Sequence, residues 1–271
     1  MTYATLMVHL ELGHSNQGLL EIAGSLARQF EAGVIGIAAC QPVQVIYGDG
    51  YVCAEPVRQD FDELAHAEAE FREILRTRAA FLEWRSTVMF APLPDYLARE
   101  ARSADLVVTA ASSGALLDVS RRVNAGDLLM QVGRPVLIIP PAADNLKLDR
   151  VLVGWKDTRP TRRVIVDALP LLKKAAQVLI VEITTADELV TASKHLDEVA
   201  GWLGRHGVSA SQVTILSTGD DAAQLNAIAC EQRIDIIVAG AYGHGRVREW
   251  MLGGVTRDLL LRAEHCSLVS H

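Results

Sequence analysis

The chain has 271 residues, 22% of them charged, and a formal net charge of -7 at pH 7. That length allows one large domain or two ordinary ones, and an acidic chain without a clustered basic face excludes nucleic acid as a main partner. No apolar stretch approaches the ~20 residues that a membrane helix requires, and no basic segment precedes the first apolar run. We therefore expect a soluble, cytoplasmic protein that has no membrane partner.

The residue types that usually carry chemistry do not form the common catalytic or metal-binding patterns. The sequence contains neither a His-Glu-x-x-His nor a Gly-x-Ser-x-Gly arrangement, so it predicts no catalytic residue and no metal site. Its cysteines, Cys40, Cys53, Cys230 and Cys266, include no Cys-x-x-Cys pair. This spacing argues against a zinc site and a disulfide framework, and it predicts buried thiols.

Short apolar runs alternate with helix-length segments from the start of the chain, which indicates βα units and a parallel sheet. The first series, "TLMVHLELGHSNQGLLEIAGSLARQFEAGVIGIAAC", reads as strand, turn, helix and strand. An insertion over residues 41–60 follows and carries Tyr47 and Tyr51, which could cover either a pocket or a partner surface. A helix is predicted over residues 60–84 because five residues share one apolar face at helical spacing. These residues are Phe61, Leu64, Phe71, Leu75 and Leu82.

The same series of elements occurs a second time, beginning with "RVLVGWKDTRPTRRVIVDALPLLKKAAQVLIVEI". Later, "SADLVVTAASSG" matches "RIDIIVAGAYGHG" and "GRPVLIIPP" matches "EHCSLVSH". The prolines and small polar residues of "PPAADNLKLD" place a boundary between domains at 1–143 and 144–271. The predicted fold is α/β, with two doubly wound five-stranded parallel-sheet domains.

A glycine-rich stretch, "GAYGHGRVREWMLGGVT", follows the fourth strand of the second half. Glycines let a backbone approach a ligand closely, and the N–H groups that open a helix bind anions. A plain strand-to-helix turn is the alternative. The stretch lacks the Gly-Lys-Ser/Thr of a P-loop, and Arg248 stands where a dinucleotide fingerprint needs glycine. Its spacing is instead Gly-x2-Gly-x9-Gly, at Gly240, Gly243 and Gly253.

This pattern, placed after a fourth strand within a repeated five-strand series, resembles the universal stress protein family in a tandem, two-domain form. The resemblance covers nearly the whole chain, including "DIIVAGAYGHG", "GGVTRDLL" and "GRPVLIIP". It implies the strand order 3-2-1-4-5 in each half. It also implies an intramolecular pseudo-dimer in which the fifth strands, "PVLII" and "CSLVS", pair with each other.

The resemblance further implies a site for an adenine nucleotide, ATP or AMP with or without Mg²⁺, in the second domain. The residues carried over are Gly154, Trp155, Lys156, Ile183, Gly240, Gly243, His244, Gly245, Arg246, Gly253, Gly254, Val255 and Thr256. Ile183 would offer its backbone to adenine, and the loop would hold the phosphates and the ribose. Two positions depart from the family pattern, because Lys156 replaces an acidic residue and Gly254 replaces a serine.

The first half departs further from the family pattern. Ala110 and Ser113 stand where the second half has Gly240 and Gly243, and Asp127 would lie at a helix N-terminus, where a carboxylate repels phosphate. We therefore expect a degenerate, structural first domain with Glu11 as a relic of the acidic position.

The leading hypothesis is a non-enzymatic, cytoplasmic stress-response protein that is regulated by a nucleotide bound to its second domain. Two alternatives remain open, a nucleotide-free stress scaffold of the same fold and an enzyme that hydrolyses ATP slowly. The sequence does not identify the stress or a protein partner, and it leaves a homodimer open.

Overall fold

The structure is a computed structural model that describes residues 2–42, 44–46, 52–54, 56–111, 120–241 and 264–271. Contacts divide the chain into two compact units. The N-terminal unit consists of Tyr3–Arg134 and Pro141–Asn145, and the C-terminal unit contains Pro135–Pro140 and Leu146–His271. The domain boundary expected between residues 143 and 144 stays a prediction.

Strands and helices alternate in the N-terminal unit. Its elements are β1 (Thr5–His9), α1 (Gln17–Phe30), β2 (Gly33–Cys40), β3 (Gln44–Ile46), β4 (Val52–Ala54), α2 (Arg58–Leu75), β5 (Leu82–Val88), α3 (Leu93–Glu100), β6 (Leu106–Ala110) and α4 (Ala125–Val132). The short strands β3 and β4 pair antiparallel within the insertion, whereas Tyr47 and Tyr51 lie outside the described residues.

The main sheet of this unit is parallel. Strand β1 pairs with β2 and β6, and β2 also pairs with β5, so the order is β5-β2-β1-β6. Without the inserted hairpin, these are the third, second, first and fourth strands of the unit, in the expected order. The residues of β2 are buried throughout, as is typical of a strand covered on both faces.

Helix α2 and strand β5 correct the sequence prediction of one helix over residues 60–84. The helix ends at Leu75, and Leu82 belongs to β5, where it lies opposite Val34 of β2. Leu64, Phe71 and Leu75 are buried as expected, whereas Phe61 is 55% exposed. The prediction was wrong because an apolar residue at position 82 fits the helical spacing and also fits a strand that completes the edge of the sheet.

The C-terminal unit repeats the alternation. Its elements are β7 (Val136–Ile139), β8 (Arg150–Trp155), α5 (Arg159–Asp167), α6 (Leu169–Leu172), β9 (Gln177–Thr184), α7 (Leu189–Arg205), β10 (Ala210–Leu216), α8 (Asp221–Glu231), β11 (Ile236–Gly240) and β12 (Cys266–Ser270). Pro160 lies in the first turn of α5, where its missing N–H has no helical acceptor to lose.

The sheet of the C-terminal unit confirms the predicted topology. Parallel pairing gives the order β10-β9-β8-β11-β12, which is 3-2-1-4-5 for the five strands from β8 onward. Strand β12 also pairs antiparallel with β7, with Leu268 opposite Leu137. The fifth strands of the two halves therefore pair with each other, as expected.

Of the three cysteines whose burial the structure describes, two are buried and one corrects the sequence prediction. Cys40 and Cys266 are buried, whereas Cys230 is exposed. Cys230 lies in the last turn of α8, beside the buried Ala229, and its Sγ is 3.5 Å from Nε2 of His265. Position 230 lies on an exposed part of the surface of α8. The general tendency of cysteine to be buried therefore gave a wrong prediction for Cys230.

Among the helices of the described residues, none combines the length and the apolar character needed to cross a membrane.

Candidate functional site

The carboxyl edge of the C-terminal sheet brings together part of the predicted nucleotide site. Gly154 and Trp155 end β8, Ile183 lies next to last in β9, and Gly240 ends β11. Lys156 follows β8 directly and is exposed. In a doubly wound sheet, this edge, beside the point where the strand order reverses, is where ligands bind.

The other predicted site residues lie outside the described part of the chain. They are Gly243, His244, Gly245, Arg246, Gly253, Gly254, Val255 and Thr256. Their assignment to phosphate and ribose stays a prediction.

Gly240 has a close neighbour within the chain itself. A Cβ built on Gly240 would lie 2.4 Å from the backbone N of Thr161 and 2.7 Å from Oγ1 of Thr161. The first turn of α5 therefore occupies the space that a side chain would need. By contrast, a Cβ on Gly154 would meet Leu225 at 3.4 Å, an ordinary contact distance. Packing within the chain is thus enough to require glycine at position 240.

The N-terminal turn of α5 carries the positive charge of this edge. Lys156, Arg159 and Arg162 are exposed around it. Asp157 pairs with Arg162, and the first turn of α5 contains no acidic residue. Since the N-terminal end of a helix carries a partial positive charge, the helix and these side chains favour an anion here.

Glu182 is a residue of this edge that the sequence analysis missed. It lies in β9 opposite Trp155 of β8, and only 7% of Glu182 and 8% of Trp155 are exposed. Oε2 of Glu182 and Nε1 of Trp155 have no hydrogen-bond partner among the residues that the structure describes. A single acidic residue in the apolar run "VLIVEIT" was the available signal.

The surroundings of Glu182 disfavour its ionised form. Burial raises the pKa of the Glu182 carboxyl, and Asp157 and Glu188 act in the same direction. His195 and Lys156 lower this pKa, but burial outweighs them. Glu188 is itself engaged, because its Oε2 accepts a hydrogen bond of 3.1 Å from Oγ1 of Thr184. The edge thus combines exposed cations with a buried carboxyl.

The corresponding edge of the N-terminal unit has its polar groups paired with one another. After β1, Glu11 lies 3.7 Å from the Arg122 guanidinium, which also donates a hydrogen bond of 2.6 Å to Nε2 of His14. At the start of α1, the backbone N of Asn16 donates to a carboxylate oxygen of Glu70 at 3.1 Å. A carboxylate of the chain therefore lies where α1 would attract an anion.

A cleft of about 660 Å³ lies beside these residues. Its lining comes from Glu11–Asn16, which connect β1 to α1, and from α2, including Asp62, Glu63 and His66. Arg121 pairs with Asp60 and Glu63 of α2. Glu63 belongs to the lining of the cleft, whereas Asp60 is buried. Acidic side chains outnumber basic ones in the lining of the cleft, so the cleft is poorly suited to binding phosphate.

Helix α4 begins at Ala125, so Asp127 lies at its N-terminal end as expected. Oδ1 of Asn124 accepts hydrogen bonds from the backbone N of Gly126 at 2.8 Å and of Asp127 at 3.1 Å. Asn124 is the N-cap, and Asp127 lies in the first turn. Two donors that could meet a phosphate are therefore occupied. Ala110 ends β6, and Ser113 lies outside the described residues.

No group of three or more His, Cys, Asp or Glu side chains within the described ranges is arranged to hold a metal ion.

No protein-family model matches the chain, and no match was found among curated proteins. Solved structures do match. A universal stress protein from Archaeoglobus fulgidus is 14% identical with a TM-score of 0.76, and the match covers 98% of each chain. A functionally unknown protein from Pseudomonas aeruginosa is also 14% identical, with a TM-score of 0.64, and the match covers 99% of this chain and 92% of the other.

These likenesses extend over nearly the whole chain and show that it has the universal stress protein fold. They confirm the resemblance at the level of the fold. A shorter universal stress protein from Archaeoglobus fulgidus, solved in complex with dAMP, is 19% identical and matches 51% of this chain and 98% of its own. Its TM-score of 0.35 is too low to bear on the site of this chain.

Proposed function

We propose that the chain is a cytoplasmic universal stress protein whose C-terminal unit binds an adenine nucleotide, ATP or AMP, as a regulatory ligand. One observation carries the proposal, namely the exposed positive charge at the start of α5. Lys156, Arg159 and Arg162 are exposed at the edge where such sheets bind ligands, and within the described residues only Arg162 of these three pairs with a carboxylate, that of Asp157.

The N-terminal unit supplies a comparison within the same chain. In the N-terminal unit, helix α1 is the counterpart of α5, and it begins next to the Glu70 carboxylate. The acidic residue Glu11 of the same unit is paired with Arg122. An incoming phosphate would have to displace these groups, and like charges would repel it. The proposal therefore assigns the nucleotide to the C-terminal unit only.

The nucleotide-free scaffold remains a second candidate because of Gly240. Contact with Thr161 is enough to explain this glycine, so its presence does not require a ligand. Under this alternative, the sheet edge would retain its charge but would bind neither ATP nor AMP.

Equilibrium binding distinguishes the two candidates. Purified protein is denatured to detect released nucleotide, and refolded, nucleotide-free protein is titrated with ATP and AMP. We expect saturable binding that weakens in Lys156→Gln and in Arg159→Gln, by about 1 kcal/mol each if each side chain makes a charged contact with phosphate.

Arg163→Gln is the matched control for these variants. Arg163 lies on the same helix but pairs with Asp167 at 3.1 Å, so its loss should leave nucleotide affinity nearly unchanged. Absence of binding by the unmodified protein at millimolar ATP and AMP would reject the proposal and favour the scaffold.

A further inference from the structure

We infer that the outer edge of β10 is an interaction surface at which a second copy of this chain adds its own β10, antiparallel and related by a twofold axis. Among the strands that the structure describes, β10 has a neighbour on one side only, β9, with which all seven of its residues pair. Its other side therefore presents backbone N–H and C=O groups to which a further strand can bond. Such pairing does not depend on nucleotide binding.

Strand β10 lacks the features that usually keep exposed sheet edges apart. It contains no charged residue and no proline, and its register with β9 runs without a bulge. Val213 is 38% exposed and Leu216 is 49% exposed. The strand thus offers a regular seven-residue template with apolar side chains at the surface.

Strand β5, the third strand of the N-terminal unit, is a comparison within the same chain. It also has a described strand on one side only, but it carries Glu83 and Arg85. Arg85 pairs with Glu83 at 2.7 Å and with Glu100 at 2.8 Å. Charged side chains protect an edge strand, because pairing with another chain would remove them from water. This protection is present on β5 and absent from β10.

A second copy fits this edge because β10 is compatible with itself in the antiparallel direction. Only the register that places Val213 opposite its own copy pairs all seven residues. In this register Ser211 lies opposite Ile215, and no charged side chains of the two strands face each other. Like charges opposite each other would destabilise such a pair, so their absence favours it.

Charges beyond the ends of β10 complement each other in the same arrangement. Arg205 precedes the strand, whereas Asp220 and Asp221 follow it. Antiparallel pairing brings the start of one strand to the end of the other, so the basic end of each copy approaches the acidic end of its partner. This arrangement favours a second copy of the chain over an unrelated extended peptide.

Sedimentation velocity of the full chain over a range of concentrations, at about 0.15 M salt, tests the pairing. We expect a monomer–dimer equilibrium. Val213→Lys places two like charges at the twofold axis, so it should raise the dimer Kd by about tenfold or more. Ser86→Lys is the matched control, because Ser86 is exposed on β5, and it should leave the dimer Kd nearly unchanged. Thermal unfolding establishes that both variants are folded.

A cysteine cross-link tests the register. Two cysteines that lie opposite each other in antiparallel strands are close enough to form a disulfide. Val213→Cys, made together with Cys230→Ser to remove the exposed native thiol, should therefore form a covalent dimer with oxidised glutathione. Ser86→Cys in the same background should not exceed the amount that Cys230→Ser alone forms.

Three outcomes would overturn the inference. They are a chain that stays monomeric at about 0.5 mM, a dimer whose Kd is the same in Val213→Lys, and a dimer that Ser86→Lys dissociates instead. Each of them leaves the proposed nucleotide binding standing, because ATP and AMP titrations measure it separately. Absence of nucleotide binding would likewise leave the pairing of β10 standing.

Discussion

At the scale of single residues, Gly240 shows how a glycine of a nucleotide-loop pattern can be fixed by packing. Its missing Cβ leaves room for the backbone of Thr161, 2.4 Å from where that atom would lie. We expect Gly240→Ala to reduce the free energy of unfolding by about 1 to 3 kcal/mol, as overpacking does. Urea denaturation with Gly154→Ala as control measures this, since a Cβ at position 154 only meets Leu225 at 3.4 Å. Equal stability of the two variants would contradict the packing account.

The buried side chain of His9 makes the free energy of unfolding of the N-terminal unit depend on pH. The ring is 1% exposed, its Nδ1 lies 3.0 Å from Oγ1 of Thr109, and burial lowers the pKa of His9 to about 4. The unfolded chain, with a pKa near 6.5, therefore binds more protons between pH 4 and pH 6.5. The free energy of unfolding should fall as the pH drops through this window, by at most about 1.4 kcal/mol per pH unit for this group.

Urea denaturation between pH 4.5 and pH 7 measures this slope. His9→Asn, which retains a polar group near the position of Nδ1, should flatten it, whereas His66→Gln should not, because His66 is exposed. The readout is the slope and not the absolute stability, which the smaller asparagine side chain also lowers. A slope that is unchanged in His9→Asn would contradict the account.

At the scale of helices and strands, the residue patterns predicted well which elements exist and whether each is a helix or a strand. They predicted less well the residue at which an element ends. The apolar runs of β8 and β11 identified buried parallel strands, whereas α2 stops at Leu75 although Leu82 continues its helical spacing. Pairing of β5 with β2 decides the end of that helix, and such a contact is not encoded in local periodicity.

The cap of α4 is a local feature that the sequence does carry. Because Asn124 accepts from the backbone N of Gly126 and of Asp127, we expect Asn124→Ala to lower the free energy of unfolding by about 1 kcal/mol. Asn145→Ala is the control, since the side chain of exposed Asn145 bonds only to its neighbour Asp144 in the described structure. Equal urea midpoints for the two variants would contradict the assignment of this cap.

At the scale of the whole molecule, the internal repeat predicted the fold because both halves present the same order of strands and helices. The site was less predictable. Glycine spacing and the position after β11 identified the sheet edge, but Glu182 was missed because burial and register, not motif spacing, place it beside Trp155. The pairing of Arg122 with Glu11 likewise joins distant residues, which one sequence cannot show.

The central claim is that a nucleotide binds the C-terminal unit and leaves the N-terminal unit free. Amide hydrogen exchange of nucleotide-free protein, measured with and without saturating AMP, tests it most directly. The account predicts slower exchange from the end of β8 through the first turn of α5, Trp155 to Arg162, where the positive charge lies. It predicts unchanged exchange over residues 11–20, where Glu70 and Arg122 are paired with their neighbours. Protection of residues 11–20, or of neither segment, would contradict it.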